Sequence, residues 1–363
     1  MKSESRQSAV KSYNEWDPLE EVIVGVLEGS SYLPWNLFLE ACMHEDYVED
    51  IAAYHREFGG KLRSEHQVKQ VQTQLNEFLH ILKQEGITIR RPEPTNQARP
   101  FATMDWKSAG GNAQANPRDS MLVVGDEIIE CPMASRAKYF EILSYRPLLK
   151  EYFKKGARWT AAPKPQLSNE LYDPYWERSN DTYVTTEFEP VWDAADVARF
   201  GKDLIMQRSQ VSNKFGAEWL QRHLGDRYRV HLVDFEDDDP VHIDTTFVPL
   251  CPGKLLINPG RPIKQLPSIF ENSDWDLLEA PRSTLPTNFP AYKSYEWYHM
   301  NILMLDHKRI VVEKEEIPFI EALKDWGFEP IPCAFREAAV HYAGGFHCFT
   351  LDVRRRGELQ SYF

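Results

Sequence analysis

Cys348 stands in the segment GGFHCFTLDV, directly after His347 and shortly after Gly344-Gly345. A thiolate is a strong nucleophile once a base or positive charge lowers its pKa. The same residue also reads as a small buried hydrophobe. His242 and Asp244, in PVHIDTTF, are two apart, which in a strand places both on one face. An imidazole beside a carboxylate is an acid–base pair, or simply a histidine satisfied by its neighbour. Asp193 and Asp196, in WDAAD, sit at the start of a predicted strand, where one could orient an imidazole or cap a turn. Asp119, in NPRDS, has the same two readings. Taken together these residues suit one reaction. Two facing carboxylates grip a guanidinium and keep it protonated, its carbon becomes a target for a thiolate, and the histidine protonates the departing amine. That chemistry calls for no metal and no cofactor, and the zinc, dinucleotide and P-loop spacings are absent from the sequence.

Elements that could bring these residues together recur along the chain. Met121–Val124, a Gly125-Asp126 turn and Glu127–Glu130 predict a hairpin, with a helix near 135–150. Val197–Phe200, Gly201-Lys202 and Asp203–Gln207 predict a second, with a helix near 212–224 and a strand near 228–234. Thr246–Leu250 with Leu255–Asn258 predict a third around Pro252-Gly253. Asn301–Leu305 with Arg309–Glu313 predict a fourth around Asp306-His307, with a helix near 317–326 and a strand near 328–332. Residues just before each hairpin, Asp119, Asp193, His242 and Asp244 among them, should gather at one end of the fold. A strand over 21–26, a helix over 66–85 stopped by Gly86 and a strand over 87–91 precede these units. Residues 27–64 show no clear period and read mostly as loop. Residues 92–118 read as a long surface segment. Cys348 is expected on a final strand.

The chain has 363 residues, and at roughly 150 residues per domain that length suggests about two domains. With 42% hydrophobic residues a large core is available, which argues against disorder and coiled coil. The net charge of −13 disfavours nucleic acid and anionic membrane surfaces, and suits a cationic substrate as well as plain solubility. No apolar window is long enough for a membrane span, and the first ten residues carry no apolar signal-peptide core. The five cysteines (42, 131, 251, 333 and 348) form no CxxC pair, so a reducing, cytoplasmic setting is expected, with Cys42, Cys131, Cys251 and Cys333 structural. The Asn180-Asp181-Thr182 sequon should then go unused.

The stretches YNEWDPLEEVIVG (13–25), PRDSMLVVGDEIIECPM (117–133), EFEPVWDAAD (187–196), RSQVSNKFGAEWLQRHL (208–224), HIDTTF (242–247) and GGFHCFTLDVRRRGELQSY (344–362) resemble arginine-dependent amidinotransferases. The resemblance implies a flexible stretch over residues 1–11 and one α/β domain over 12–363, a five-bladed pseudosymmetric propeller of ββαβ modules (pentein-like), in place of two domains. It implies that Cys348 takes the amidino group covalently, that His242 is the acid–base group and that Asp193 orients it. Asp119 and Asp244 would grip the donor guanidinium, and Arg261 the donor carboxylate. L-arginine is the implied donor, a small amine the acceptor, and a homodimer the assembly, with ping-pong kinetics.

The acceptor pocket departs from the glycine-using members. Asp239-Pro240-Val241 stands where they carry Asn-Pro-Met, and Ser294-Tyr295 where they carry Ser-Ser. A negative Asp239 would repel the glycine carboxylate, and Val241 would open space. The expected acceptor is therefore not glycine but a larger amine without a carboxylate, such as the arginine-derived amino ketone of saxitoxin-type toxin biosynthesis, which bears a guanidinium. Glycine amidinotransfer and an arginine deiminase-like hydrolase are the alternatives.

Overall fold

The computed structural model describes residues 8–179, 181–271 and 273–363, so Asn180 of the sequon lies outside the described residues. The strands in chain order are β1 (Leu19–Val24), β2 (Thr88–Arg90), β3 (Phe101–Ala102), β4 (Lys107–Ser108), β5 (Met121–Val124), β6 (Glu127–Glu130), β7 (Arg158–Ala161), β8 (Val197–Phe200) and β9 (Asp203–Gln207). They continue as β10 (Arg229–Val233), β11 (Phe247–Cys251), β12 (Lys254–Ile257), β13 (Asp276–Glu279), β14 (Leu303–Met304), β15 (Arg309–Glu313), β16 (Glu329–Cys333) and β17 (Thr350–Arg355). Among the described residues they form five three-stranded sheets and the two-stranded ribbon β3–β4.

Four of the sheets are built alike: an antiparallel hairpin, then a connection, then a third strand parallel to the second. The fifth has the same pattern but joins the two ends of the chain, since β17 runs antiparallel to β1 and β2 runs parallel to it. Gly125 and Gly201 take φ of 63° and 72°, the left-handed conformation that a tight two-residue hairpin needs. All residues of β5, β8 and β9 are buried, Arg199, Asp203 and Gln207 included, so these strands are covered on both faces and do not alternate.

The helix Glu65–Gln84 is capped by the Ser64 side chain and buries Val71, Leu75, Phe78 and Leu82. Phe78 packs on Phe335 and Phe346, with ring centres 5.4 and 5.0 Å apart, and Phe335 contacts Phe349 at 4.9 Å. Phe346 and Phe349 flank His347 and Cys348, so this apolar cluster fixes the turn that carries the cysteine.

A second constraint is polar. Arg199 on β8 is fully buried and donates to Glu15 through Nε and Nη2, both at 2.7 Å, to Asp352 on β17 at 2.6 Å and to the Val123 carbonyl of β5 at 2.9 Å. Arg355 also binds Asp352, at 2.6 Å, and the Met304 carbonyl of β14 at 3.0 Å. Arg118 meets Asp352 at 2.7 Å. Burial opposes ionisation of Glu15 and Asp352, but the arginines outweigh it and hold both carboxyls below their ordinary range. The network thus ties strands of four sheets to one another.

The structure departs from expectation in several places. Residues 27–64 contain the helices Leu37–Ala41 and Val48–Phe58. The second buries only Ala52 and sets Asp50, Ile51, Tyr54 and His55 on a cleft. Residues 92–118 are not merely surface. Trp106, Ala113, Gln114 and Ala115 are buried, and the Gln114 side chain binds Thr95, Gln97 and Ser144. The helix expected near 135–150 runs Ile142–Lys154, after a 3₁₀ turn at Arg136–Lys138. The third unit has only the 3₁₀ turn Ser268–Phe270 where its helix would lie. Strands β7 and β13 went unmarked because they are short and largely solvent-facing. Residues 8–11, expected to be flexible, are anchored: Val10 is fully buried and Lys11 N donates to Val353 O at 2.9 Å. No described helix is long and apolar enough to cross a membrane.

Arg199→Met would strand Glu15 and Asp352 with less compensating charge in the interior. We predict a loss of about 3–5 kcal/mol in urea unfolding; an unchanged midpoint would show that the network is not a structural constraint.

Candidate active site

Cys348 lies in the turn before β17 and not on the strand itself. Asn301 Oδ1 accepts the backbone N–H of Gly345 at 3.1 Å and of Cys348 at 3.0 Å, while its Nδ2 donates to Cys348 Sγ at 3.1 Å. A Cβ on Gly345 would come within 2.7 Å of the Asn301 carbonyl oxygen, and one on Gly344 within 2.8 Å of the Cys348 Cβ. The paired glycines therefore let the turn close onto Asn301. The thiol donates to Asp244 Oδ2 at 3.1 Å. Burial, then the charges of Asp244 and Asp119, push its pKa well above the ordinary thiol value, so the unliganded site holds a thiol.

His242 and Asp244 do not share a strand face. His242 has φ 58° and precedes a 3₁₀ turn at Ile243–Thr245 that carries Asp244. A non-glycine residue in this region is held there by its surroundings, at a cost of order 1–3 kcal/mol. The kink aims the ring at two carboxylates. His242 Nε2 is 3.2 Å from Asp193 Oδ2, and Nδ1 is 3.9 Å from Asp119 Oδ1. Burial alone would lower the His242 pKa, but the Asp119 charge and the bond and charge of Asp193 outweigh it and raise it to about 9. At neutral pH the ring is an imidazolium.

Asp193 sits behind His242, off the cleft surface, and its backbone N–H donates to Ser212 Oγ at 3.2 Å. Ser212 and Ser209 in turn donate to Asp196, at 2.5 and 2.6 Å. Burial pushes Asp196 up to about 7 against the pull of His242 and the two serines. Asp119 is presented by the helical turn Pro117–Ser120. Its Oδ1 and the Oδ1 atoms of Asp193 and Asp244 are buried acceptors with no hydrogen-bond donor among the described residues.

Five expected residues therefore converge: Cys348, His242, Asp193, Asp119 and Asp244. The other five line the cleft around them, which encloses about 1150 Å³. Arg261 is 3.0 Å from Asp237 and donates to Thr245 Oγ1 at 3.3 Å. Asp239 is ion-paired with Arg178, which offsets the negative charge on which the expectation of glycine repulsion rests. Val241 and Ser294 border the cleft, and Tyr295 donates to the Val340 carbonyl at 3.2 Å.

Three partners escaped sequence reasoning. Lys138 Nζ bridges Asp119 at 2.7 Å and Asp193 at 3.2 Å. His347 Nδ1 is 2.8 Å from Asp244, and its Nε2 is 3.4 Å from Glu15 of the buried arginine network. Asn301 begins the fourth hairpin unit, so the rule that selected Asp119, Asp193 and His242 would have selected it too. Asp119, His242 and Cys348 could also meet a metal, their ligand atoms lying within 4.8 Å of one another. A metal would have to displace the Lys138 ammonium and the His242 proton, so the set suits an organic cation better. All five cysteines are free, and burial raises both Cys42 and Cys333 to about 12, in keeping with inert thiols.

No protein-family model matches the chain. It is 48% identical over 359 residues to an L-arginine:L-lysine amidinotransferase of Pseudomonas savastanoi pv. phaseolicola, covering 98% of this chain and 97% of that protein. It is 42% identical to the mitochondrial glycine amidinotransferase of Danio rerio, covering 99% and 86%. Among solved structures, the saxitoxin-pathway amidinotransferase SxtG of Microseira wollei matches with a TM-score of 0.92 and 46% identity, over 98% and 99% of the two chains. A dimethylarginine dimethylaminohydrolase at 14% identity and TM-score 0.54 shares the α/β pentein-like fold alone.

His242 should titrate near 9 by NMR of the ring, and at lower pH in Asp193→Asn, where the Asp119 charge alone remains to hold it up. Because the folded value lies above the unfolded one, its stabilisation is fully present below about 6.5 and lost as pH rises through about 9. A midpoint near 6.5 in the unsubstituted protein would contradict this electrostatic picture.

Proposed function

The chain belongs to the amidinotransferase family and transfers the amidino group of arginine, and on that footing we propose a ping-pong reaction through an amidino group held on Cys348. The observation that carries it is the pair of buried, undonated oxygens on Asp119 and Asp244, flanking the thiol and its histidine. A guanidinium presents planar N–H donors that such acceptors fit. Arg261 takes the donor's carboxylate in this reading.

The steps follow from the charges. Arginine brings a cation between the carboxylates that hold the thiol up, so the Cys348 pKa falls and its proton leaves to solvent. Sγ attacks the guanidinium carbon. His242, already protonated, gives its proton to the ornithine nitrogen as the carbon–nitrogen bond breaks, and Asp193 keeps the ring aligned. The amidino carbon now rests on sulfur and His242 is neutral. An acceptor ammonium enters and gives one proton to solvent, its nitrogen passes a second to His242 as it attacks that carbon, and the thiolate leaves.

For the acceptor we infer a primary amine larger than glycine. A cleft of about 1150 Å³ exceeds what arginine and glycine need, and Val241 and Tyr295 border it in place of the Met and Ser of glycine-using relatives. The SxtG likeness supports a place among enzymes of secondary metabolism. For the architecture we infer one domain and a five-module propeller, supported by five sheets of one pattern, the last completed by both chain ends. A homodimer rests on the family likeness alone.

Arginine alone should add one amidino group to the intact mass and release ornithine, and Cys348→Ala should do neither. Citrulline as the product would mark a hydrolase instead. Robust turnover with glycine as sole acceptor would sink the larger-acceptor reading. Asp119→Asn should lower kcat/KM for arginine about 100-fold, the scale of losing one partner of a buried charge pair.

A further inference from the structure

Five lysines and arginines line the cleft among the described residues: Arg63, Lys138, Arg178, Arg261 and Lys293. Four are matched by a carboxylate: Lys138 by Asp119 and Asp193, Arg178 by Asp239, Arg261 by Asp237 and Lys293 by Asp46. Arg63 has no such partner among the described residues. Its Nε is buried without an acceptor, and its guanidinium carbon is held 4.8 Å from the ring centre of Tyr32 and 4.6 Å from that of Tyr342. The fully buried arginines of the fold, Arg118, Arg199 and Arg355, all meet Asp352, so where this protein buries an arginine completely it supplies a carboxylate.

Two tyrosine rings fix the plane of the guanidinium and restrict its rotamers, while leaving its in-plane N–H edge as the binding face. Burial disfavours its charge, and the groups that offset this are tyrosines and not acids. Arg63, Tyr295, Tyr298 and Cys348 line the same cleft, and Tyr298 packs against Tyr295 with ring centres 5.3 Å apart. Arg261, on the opposite account, already serves the donor.

We propose that Arg63 is the acceptor-specificity residue: its unmatched guanidinium, clamped between Tyr32 and Tyr342, binds an oxyanion (carboxylate or phosphate) on the far side of the acceptor from its reacting amine. This rests on the ping-pong reading above and sharpens it. It departs from the amino ketone expected from Asp239, which would leave Arg63 unmatched in the complex. A bound oxyanion would gain two charge-assisted hydrogen bonds in a site largely removed from water. An acceptor lacking the anion would leave the guanidinium uncompensated.

The test uses the full chain and paired probes that differ only by the anion: L-lysine against 1,5-diaminopentane, and O-phosphoethanolamine against ethanolamine. The unsubstituted enzyme should favour at least one anionic probe over its counterpart by about 10- to 100-fold in kcat/KM, the worth of a charged hydrogen-bond pair. The favoured pair tells carboxylate from phosphate. Arg63→Gln should remove that preference through the KM of the anionic probe, while the burst of ornithine from arginine persists. Arg63→Lys, which keeps the charge and loses the fork, should restore it in part. No preference for either anionic probe in the unsubstituted enzyme overturns the proposal, and so does an equal loss with both members of a pair. A slowed ornithine burst in Arg63→Gln overturns it too, by assigning Arg63 to the donor. If the unsubstituted enzyme gives no burst and no mass increment on Cys348, the ping-pong reading has failed instead.

Discussion

Asp119, Asp193 and Asp244 cannot stay buried side by side as bare anions, and the rest of the site follows from that constraint. Lys138 bridges the first two, His242 is drawn into its charged form between them, and His347 leans on the third. The same excess of negative charge keeps the Cys348 thiol protonated, since a thiolate would be one more anion in the cluster. The unliganded site is thus poised on the wrong side of reactivity for its nucleophile and the right side for its acid. A guanidinium cation reverses the first condition without spoiling the second. This makes activation a consequence of binding the correct charge, and it protects an otherwise reactive thiol from neutral electrophiles.

Positioning comes from two kinds of packing that meet at residues 346–352. The aromatic cluster of Phe78, Phe335, Phe346 and Phe349 fixes the turn from one side, and the arginine network around Asp352 fixes it from the other. His347 joins the network to the site, because one ring nitrogen faces Glu15 and the other Asp244. Burying so many charges is a costly way to gain stability. Its return here is geometric: strands of four sheets are held to a common set of partners, and the loops they carry converge.

The sequence was most informative where local chemistry decides structure. The turns at Gly125 and Gly201 need a left-handed residue between short apolar runs, so both hairpins were readable to the residue. The rule that residues ahead of a hairpin converge found Asp119, Asp193 and His242, although His242 reached the site by a kink and not by a strand face. What stayed hidden depends on long-range contacts. Lys138 comes from a connection with no motif of its own. Arg178 neutralises Asp239 from more than sixty residues away, which no local pattern announces. The helix Val48–Phe58 buries only Ala52 and turns Asp50, Ile51, Tyr54 and His55 to a cleft assembled from distant parts of the chain. Arg63 drew no notice because a single arginine in a polar stretch is ordinary until the structure shows that nothing pairs with it.

The account stands on the Cys348 thiol ionising only when a guanidinium occupies the carboxylates. Ultraviolet titration of the thiolate, taken as the difference between the protein and Cys348→Ala, tests this directly. In the free protein the thiolate should appear only well above pH 9, and saturation with an unreactive alkylguanidinium should move its appearance towards neutral pH. A thiolate already present near neutral pH in the free protein, or a titration that the guanidinium leaves in place, would contradict it.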